Sequence, residues 1–335
     1  MPNTTLDHPD LIEDEGLLFA CTLDGEGGAR FLGWDDIDKW TNTDGPLWMH
    51  MDHKHPRVVD WVKKQSGLTT TTTDALLAEE TRPRVFRGRR GLVTILRGVN
   101  LNESADGEDM VAIRLWSEGE RVITLRHERL HTPRNILVQL IELNTGPKTA
   151  PELFERLISR INDNIADTIL TLEEQLGDLE GDLDISKAAI QRRDLSHIRQ
   201  KAVALRRYIA PQREALGTLV SEPPSWMDDH SRAQLRETSD RLMRYLEELD
   251  AVRERAMVVK DDIANQLSEA SNKTLYVLAI ISAIFLPLAF LTGLLGINIG
   301  GMPGVENPYA FWIFCAVMIV CLIIEVYIFR KLKWL

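Results

Sequence analysis

Cysteine is scarce in this chain: Cys21, Cys315 and Cys321 are its only three, and the last two lie inside an apolar run. Cysteines so few and so placed exclude a disulfide framework. P-loop, HExxH, GxSxG and GxGxxG patterns are missing, so no enzyme class, nucleotide site or cofactor is indicated. The amino-terminal stretch MPNTTLDHPDLIEDEG has no basic region followed by an apolar one, so no secretory signal is expected and the soluble part is expected to stay in the cytoplasm. Glycine is absent from Ser231 to Thr292, where the only proline is Pro287. That absence predicts one helix of roughly 65 residues, on the order of 100 Å at 1.5 Å per residue.

Long uncharged runs, by contrast, are present. Leu275 to Ile297 is 23 residues without a charge, and Pro308 to Phe329 is 22 residues with only Glu325. Each is long enough to cross a hydrocarbon core of about 30 Å, so the chain reads as an integral membrane protein with two spans in its last 61 residues. Lys273 precedes the first span and Arg330, Lys331 and Lys333 follow the second, while the connection from Asn298 to Asn307 has no Lys or Arg. By the positive-inside rule both termini are cytoplasmic. The last 65 residues carry a net charge of +2 out of the chain's -11, leaving -13 on the remainder. Such an acidic soluble part excludes nucleic acid as a partner and draws multivalent cations, although it also serves plain solubility.

Residues 16 to 127 alternate short β-rich runs with turn signals. Leu17–Thr22 and Ala29–Leu32 flank a glycine-rich turn, and Leu47–Met51, Gly91–Val99, Met110–Trp116 and Arg121–Leu125 also read as strands, with helices near Val58–Gln65 and Thr73–Glu80. Helical patterns then run from about Pro151 to Leu183 and from about Ser186 to Leu219. The expected plan is an α/β cytoplasmic domain over residues 1–150, a helical hairpin over 151–222 and a stalk helix over 223–274. A first span over 275–298, an outer loop over 299–307, a second span over 308–330 and a basic tail over 331–335 complete it. Leu242, Tyr245, Leu249, Val252, Ala256, Val259 and Ile263 recur in steps of three and four, a seam suited to packing against neighbouring helices.

A second stripe of the long helix joins Asp261, Asn265, Ser268, Asn272, Leu275, Ala279, Ser282, Leu286, Ala289 and Gly293. Its small membrane residues fit either an axial channel or a close helix contact. The channel reading gains from Asp261 and Asn272, whose oxygens a symmetric oligomer would repeat as rings, with Leu275 and Leu286 as constrictions able to dewet. His50, Asp52, His53 and His55 cluster in HMDHKHP at a strand end. His50 and Asp52 share a face there, a spacing open to zinc ligation or to an ordinary solvated strand end. The acidic run Asp178, Glu180, Asp182 and Asp184 fits a solvated face, and Glu325 an interfacial acid in reach of Arg330.

Gly296-Ile297-Asn298, the following Gly300-Gly301-Met302-Pro303-Gly304 and the terminal Lys331-Leu332-Lys333-Trp334-Leu335 resemble the CorA superfamily of divalent-cation transporters. Thr81-Arg82-Pro83-Arg84 and Phe285-Leu286-Pro287-Leu288 extend the resemblance over essentially the whole chain. Ile297 stands where magnesium and cobalt members carry methionine, which is more similar to the zinc-transporting ZntB branch. The resemblance implies a homopentameric funnel in a bacterial inner membrane, taking up Zn2+ coupled to protons, with other divalent cations as alternatives. It places Gly296, Ile297 and Asn298 at the outer mouth, Asn272 and Asp261 at inner pore positions, and Leu275, Leu278 and Leu286 at hydrophobic constrictions. Glu306 either attracts cations to that mouth or is a solvated loop charge. A Mg2+, Co2+ or Ni2+ channel of the same architecture is the nearest competing function, and a non-conducting membrane-anchored sensor the next.

Overall fold

A computed structural model describes residues 14–79, 81–102, 109–296, 304 and 306–332. Seven strands, β1 (Leu17–Leu23), β2 (Ala29–Phe31), β3 (Leu47–Asp52), β4 (Arg84–Arg87), β5 (Leu92–Val99), β6 (Met110–Ser117) and β7 (Arg121–Arg126), form one sheet in the order β2-β1-β3-β7-β6-β5-β4. Eight α-helices accompany them among the described residues: α1 (Trp34–Ile37), α2 (Pro56–Lys64), α3 (Thr70–Leu77), α4 (His131–Ile141), α5 (Ala150–Gly181), α6 (Ala188–Ser221), α7 (Asp229–Leu295) and α8 (Ala310–Lys331). The chain divides into two units, residues 1–183 with 189–260, and residues 184–188 with 261–335.

In the first unit every neighbouring strand pair is antiparallel except β3 with β7. The central strands are buried along almost their whole length because both faces of the sheet are covered. On one face Leu47, Met49, Met51, Ile95 and Ile123 meet Trp61, Val62 and Leu76 of α2 and α3. α5 packs against β5 and β7, burying Leu153, Phe154, Leu157, Ile158 and Ile161.

The seam of α7 is buried within this single chain: Leu242, Leu249, Val252 and Ala256 are 2% exposed or less. Its apolar spacing is therefore satisfied by helices of its own chain and requires no second copy. α7 is continuous over 67 residues with Pro287 inside it, so the missing glycines do mark one unbroken helix. α4 and β4 are elements that the sequence pattern does not announce. Pro133 sits in the first turn of α4, where a proline lacking an N–H is tolerated.

Candidate functional site

In the second unit α7 and α8 are each long and apolar enough to cross a membrane, and neither apolar window is buried. Core helices of soluble proteins of this hydrophobicity hide their surface; these do not, and lipid is the solvent that such surfaces require.

Partial cover within the apolar part of α7 falls on Ile280, Ala283, Ile284, Leu288 and Leu291. α8 has a matching one-sided pattern at Phe314, Cys315, Met318, Cys321, Glu325, Val326 and Phe329. All ten stripe positions, from Asp261 through Asn272, Leu275 and Leu286 to Gly293, are exposed in the single chain. At about 100° per residue the stripe lies roughly opposite the partly covered face. One side of α7 is thus engaged and the other, the one bearing Asn272, Ser282 and Leu286, is bare.

The chemistry of that bare side is graded. Asp261, Asn265, Ser268 and Asn272 offer oxygens at the polar end, whereas Leu275 and Leu286, 59% and 73% exposed, present apolar side chains farther along. Leu278 is also exposed but lies about 60° round the helix from Leu275. Thr274 and Thr292 are occupied, their hydroxyls donating to Ala270 O and Ala289 O of the same helix. At the carboxyl end of α7, Gly296 N donates to Thr292 O, and a Cβ on Gly296 would approach that oxygen to 3.1 Å. Ile297 and Asn298 lie outside the described residues. Glu306 is exposed in the connection, and Glu325 is half-buried on α8, its Oε2 without a hydrogen-bond partner and no pairing to Arg330 among the described residues.

His50 does not join a metal-binding group with Asp52, although the two share a strand face. The His50 ring is buried, packs beside Phe19, and its Nδ1 bonds Thr124 Oγ1 at 2.8 Å. The Thr124 hydroxyl donates to Met49 O and accepts from Trp48 Nε1, which makes His50 Nδ1 the donor to it. Burial, aided by Arg126, pushes the His50 pKa well below the usual imidazole range. Asp52 instead neighbours His53 and His127, a grouping that needs the parallel pairing of β3 with β7 and that spacing in the sequence does not reveal. Of the acidic run, Glu180 pairs with Arg255 at 2.5 Å and Asp184 accepts from Ser186 N, so these two anchor local structure.

An α/β domain, a helix that continues into a span, and a second span define a two-span membrane protein in which one exposed face of the long helix carries oxygens and small residues. The family model described as CorA-like Mg2+ transporter protein matches residues 43–331, and the chain belongs to this CorA family. It is accordingly a transport protein and not an enzyme. The divalent cation transporter CmaX of Pseudomonas aeruginosa is 36% identical over 326 residues, 96% of this chain and 98% of that protein. The zinc transport protein ZntB of Yersinia pseudotuberculosis is 32% identical over 331 residues, 97% of this chain and the full length of that protein. A solved structure of full-length CmaX has a TM-score of 0.82 to this chain at 36% identity, covering 96% of this chain and 99% of that one.

Proposed function

We propose that the chain moves divalent cations, zinc foremost, through a pore lined by α7 in a homopentamer of a bacterial inner membrane. The observation that carries this reading is the bare stripe from Asp261 to Gly293 on the side of α7 away from its partly covered face. A single chain leaves Asn265, Ser268 and Asn272 exposed just before the span and Ser282 exposed within it, and lipid is a poor partner for that hydroxyl. Arranged about an axis, the stripes of several copies face one another and enclose a polar path. Asp261 and Asn272 then form inner rings of acceptor oxygens, Leu275, Leu278 and Leu286 narrow the path, and Gly296, Ile297 and Asn298 make the outer mouth with Glu306 nearby. α8 stands outside α7, towards lipid.

Both termini lie in the cytoplasm on this reading, supported by the absence of Lys and Arg from the connection between the spans. The soluble part occupies residues 1–150 and 151–222, with the stalk to 274. Uptake is proton-coupled. The zinc assignment draws on the name of the ZntB relatives and on Ile297 in the outer motif, and CmaX, named only for divalent cations, keeps a magnesium, cobalt or nickel channel as the second reading. Purified protein in liposomes loaded with a fluorescent metal indicator separates the two. Zinc entry that rises with an inward proton gradient supports proton-coupled zinc uptake; magnesium entry indifferent to that gradient overturns it in favour of the channel.

A further inference from the structure

The two strands that run parallel, β3 and β7, end together. Asp52 stands opposite Arg126 in their register, so His53 and His127 are the next residues of each chain segment past the same edge of the sheet. His53 N donates to Arg126 O at 2.9 Å, which ties the two strand exits together. The imidazoles of His53 and His127 lie nearly parallel, 8° apart with centroids 5.5 Å from each other. One ligand atom from each of Asp52, His53 and His127 falls within 4.8 Å of the other two. We propose that Asp52, His53 and His127 bind a borderline divalent transition-metal ion, of which zinc is the type, in the soluble domain and apart from any ion carried along α7.

Burial supplies the second, independent observation. His53 is 4% exposed, yet its Nδ1 has no hydrogen-bond partner among the described residues. An orphaned buried polar atom costs about 1–3 kcal/mol, and native structures rarely leave one without a reason. An ion bound through Nδ1 would satisfy it. Access runs through His127, which is exposed, while the half-buried Asp52 is oriented by accepting the Lys54 N–H on Oδ1 at 2.9 Å and keeps its other oxygen for the ion.

Two imidazoles and one carboxylate form a donor set for zinc, cobalt or nickel, whereas magnesium prefers oxygens and its own waters. Zinc ligand atoms at about 2.0–2.1 Å from the ion stand roughly 3.4 Å apart in a tetrahedron. Rotation of the exposed His127 ring closes the difference, and the fourth position goes to water.

The test uses full-length protein in detergent, purified without a histidine tag and dialysed against micromolar zinc, with bound metal counted by atomic emission and coordination read from the visible spectrum of the cobalt-loaded form. Wild type is expected to hold one more zinc per chain than His127→Ala and Asp52→Asn, and to show a four-coordinate cobalt band that both variants lose. A large excess of magnesium leaves that extra zinc in place. Because His127 is exposed and Asp52 half-buried, both variants fold even where a change at buried His53 does not. Equal zinc counts and identical cobalt spectra in wild type and both variants overturn the proposal, and so does displacement of the extra zinc by magnesium.

Discussion

Replacing Gln212 with leucine is expected to destabilise the soluble domain by about 2–6 kcal/mol, since it leaves two buried polar groups without partners. β4 pairs with β5 only from Leu92 to Ile95, so the Arg97 N–H, on the same edge of β5, has no strand to meet. Gln212 of α6 takes its place: Oε1 accepts from Arg97 N at 2.8 Å, and Nε2 donates to Asn162 Oδ1 at 2.7 Å. Asn162 in turn donates to Ile158 O, one turn back along α5. Gln212 and Asn162 are 0% and 1% exposed, so water cannot replace the lost partner. Each orphaned group costs about 1–3 kcal/mol, and at about 2–4 °C per kcal/mol for a domain of this size the unfolding midpoint falls by roughly 5–20 °C. Thermal unfolding of the detergent-purified protein, followed by fluorescence of the buried Trp48 and Trp116, measures this. A loss of less than about 2 °C refutes the reasoning. So does full additivity with Asn162→Leu, because in the double variant the Asn162 oxygen is no longer there to be orphaned.

Glu155 gives a pH-dependent counterpart. Burial, with Glu152 adding to it against Arg156 and Arg241, raises its pKa from 4.5 to about 7. The folded state therefore holds a proton that the unfolded state releases above pH 4.5, and stability declines as pH rises from about 4.5 to about 7, by on the order of 3 kcal/mol in all. Glu155→Gln removes that decline, read as a urea midpoint that gains more over wild type at pH 8 than at pH 5; an equal gain at both contradicts the assignment. Leu249→Ala, in the buried seam of α7, should lower stability by about 2–5 kcal/mol, while Met243→Ala on its exposed side stays within about 0.5 kcal/mol. Equal effects in denaturant unfolding would show that the seam is not where α7 is held.

The long helix was the most legible element because nothing in sixty residues could end it. Strand positions were readable wherever apolar residues ran between turn signals, as in β3, β5 and β6. β4 escaped because its sequence, Arg-Val-Phe-Arg, is a four-residue edge strand with both ends exposed. The pairing of β3 with β7 could not be read at all, since parallel neighbours share no hairpin and lie more than seventy residues apart. That is why His50 and Asp52, two residues apart on one strand, suggest a pair, whereas nothing in the sequence points to His127. The stripe on α7 was visible from its three-and-four spacing alone. Its relation to the covered face was not, because that depends on where α8 falls. The spacing of the seam suits association with neighbouring helices, and the helices of its own chain supply that cover.

The central claim is that cations travel along the Asp261-to-Gly293 side of α7, and cysteine accessibility tests it most directly. Cys21 is buried, with its thiol pushed up to about 12, so only Cys315 and Cys321 need replacing to give a silent background. Single cysteines at Ala279, Ser282 and Leu286, and for comparison at Val277 and Ile281, are reconstituted and treated with a cationic, membrane-impermeant thiol reagent during zinc uptake. The account predicts that modification at 279, 282 and 286 blocks flux while 277 and 281 continue to conduct. Block at 277 and 281 with free passage at 279, 282 and 286 would contradict it and place the path on another face of the helix.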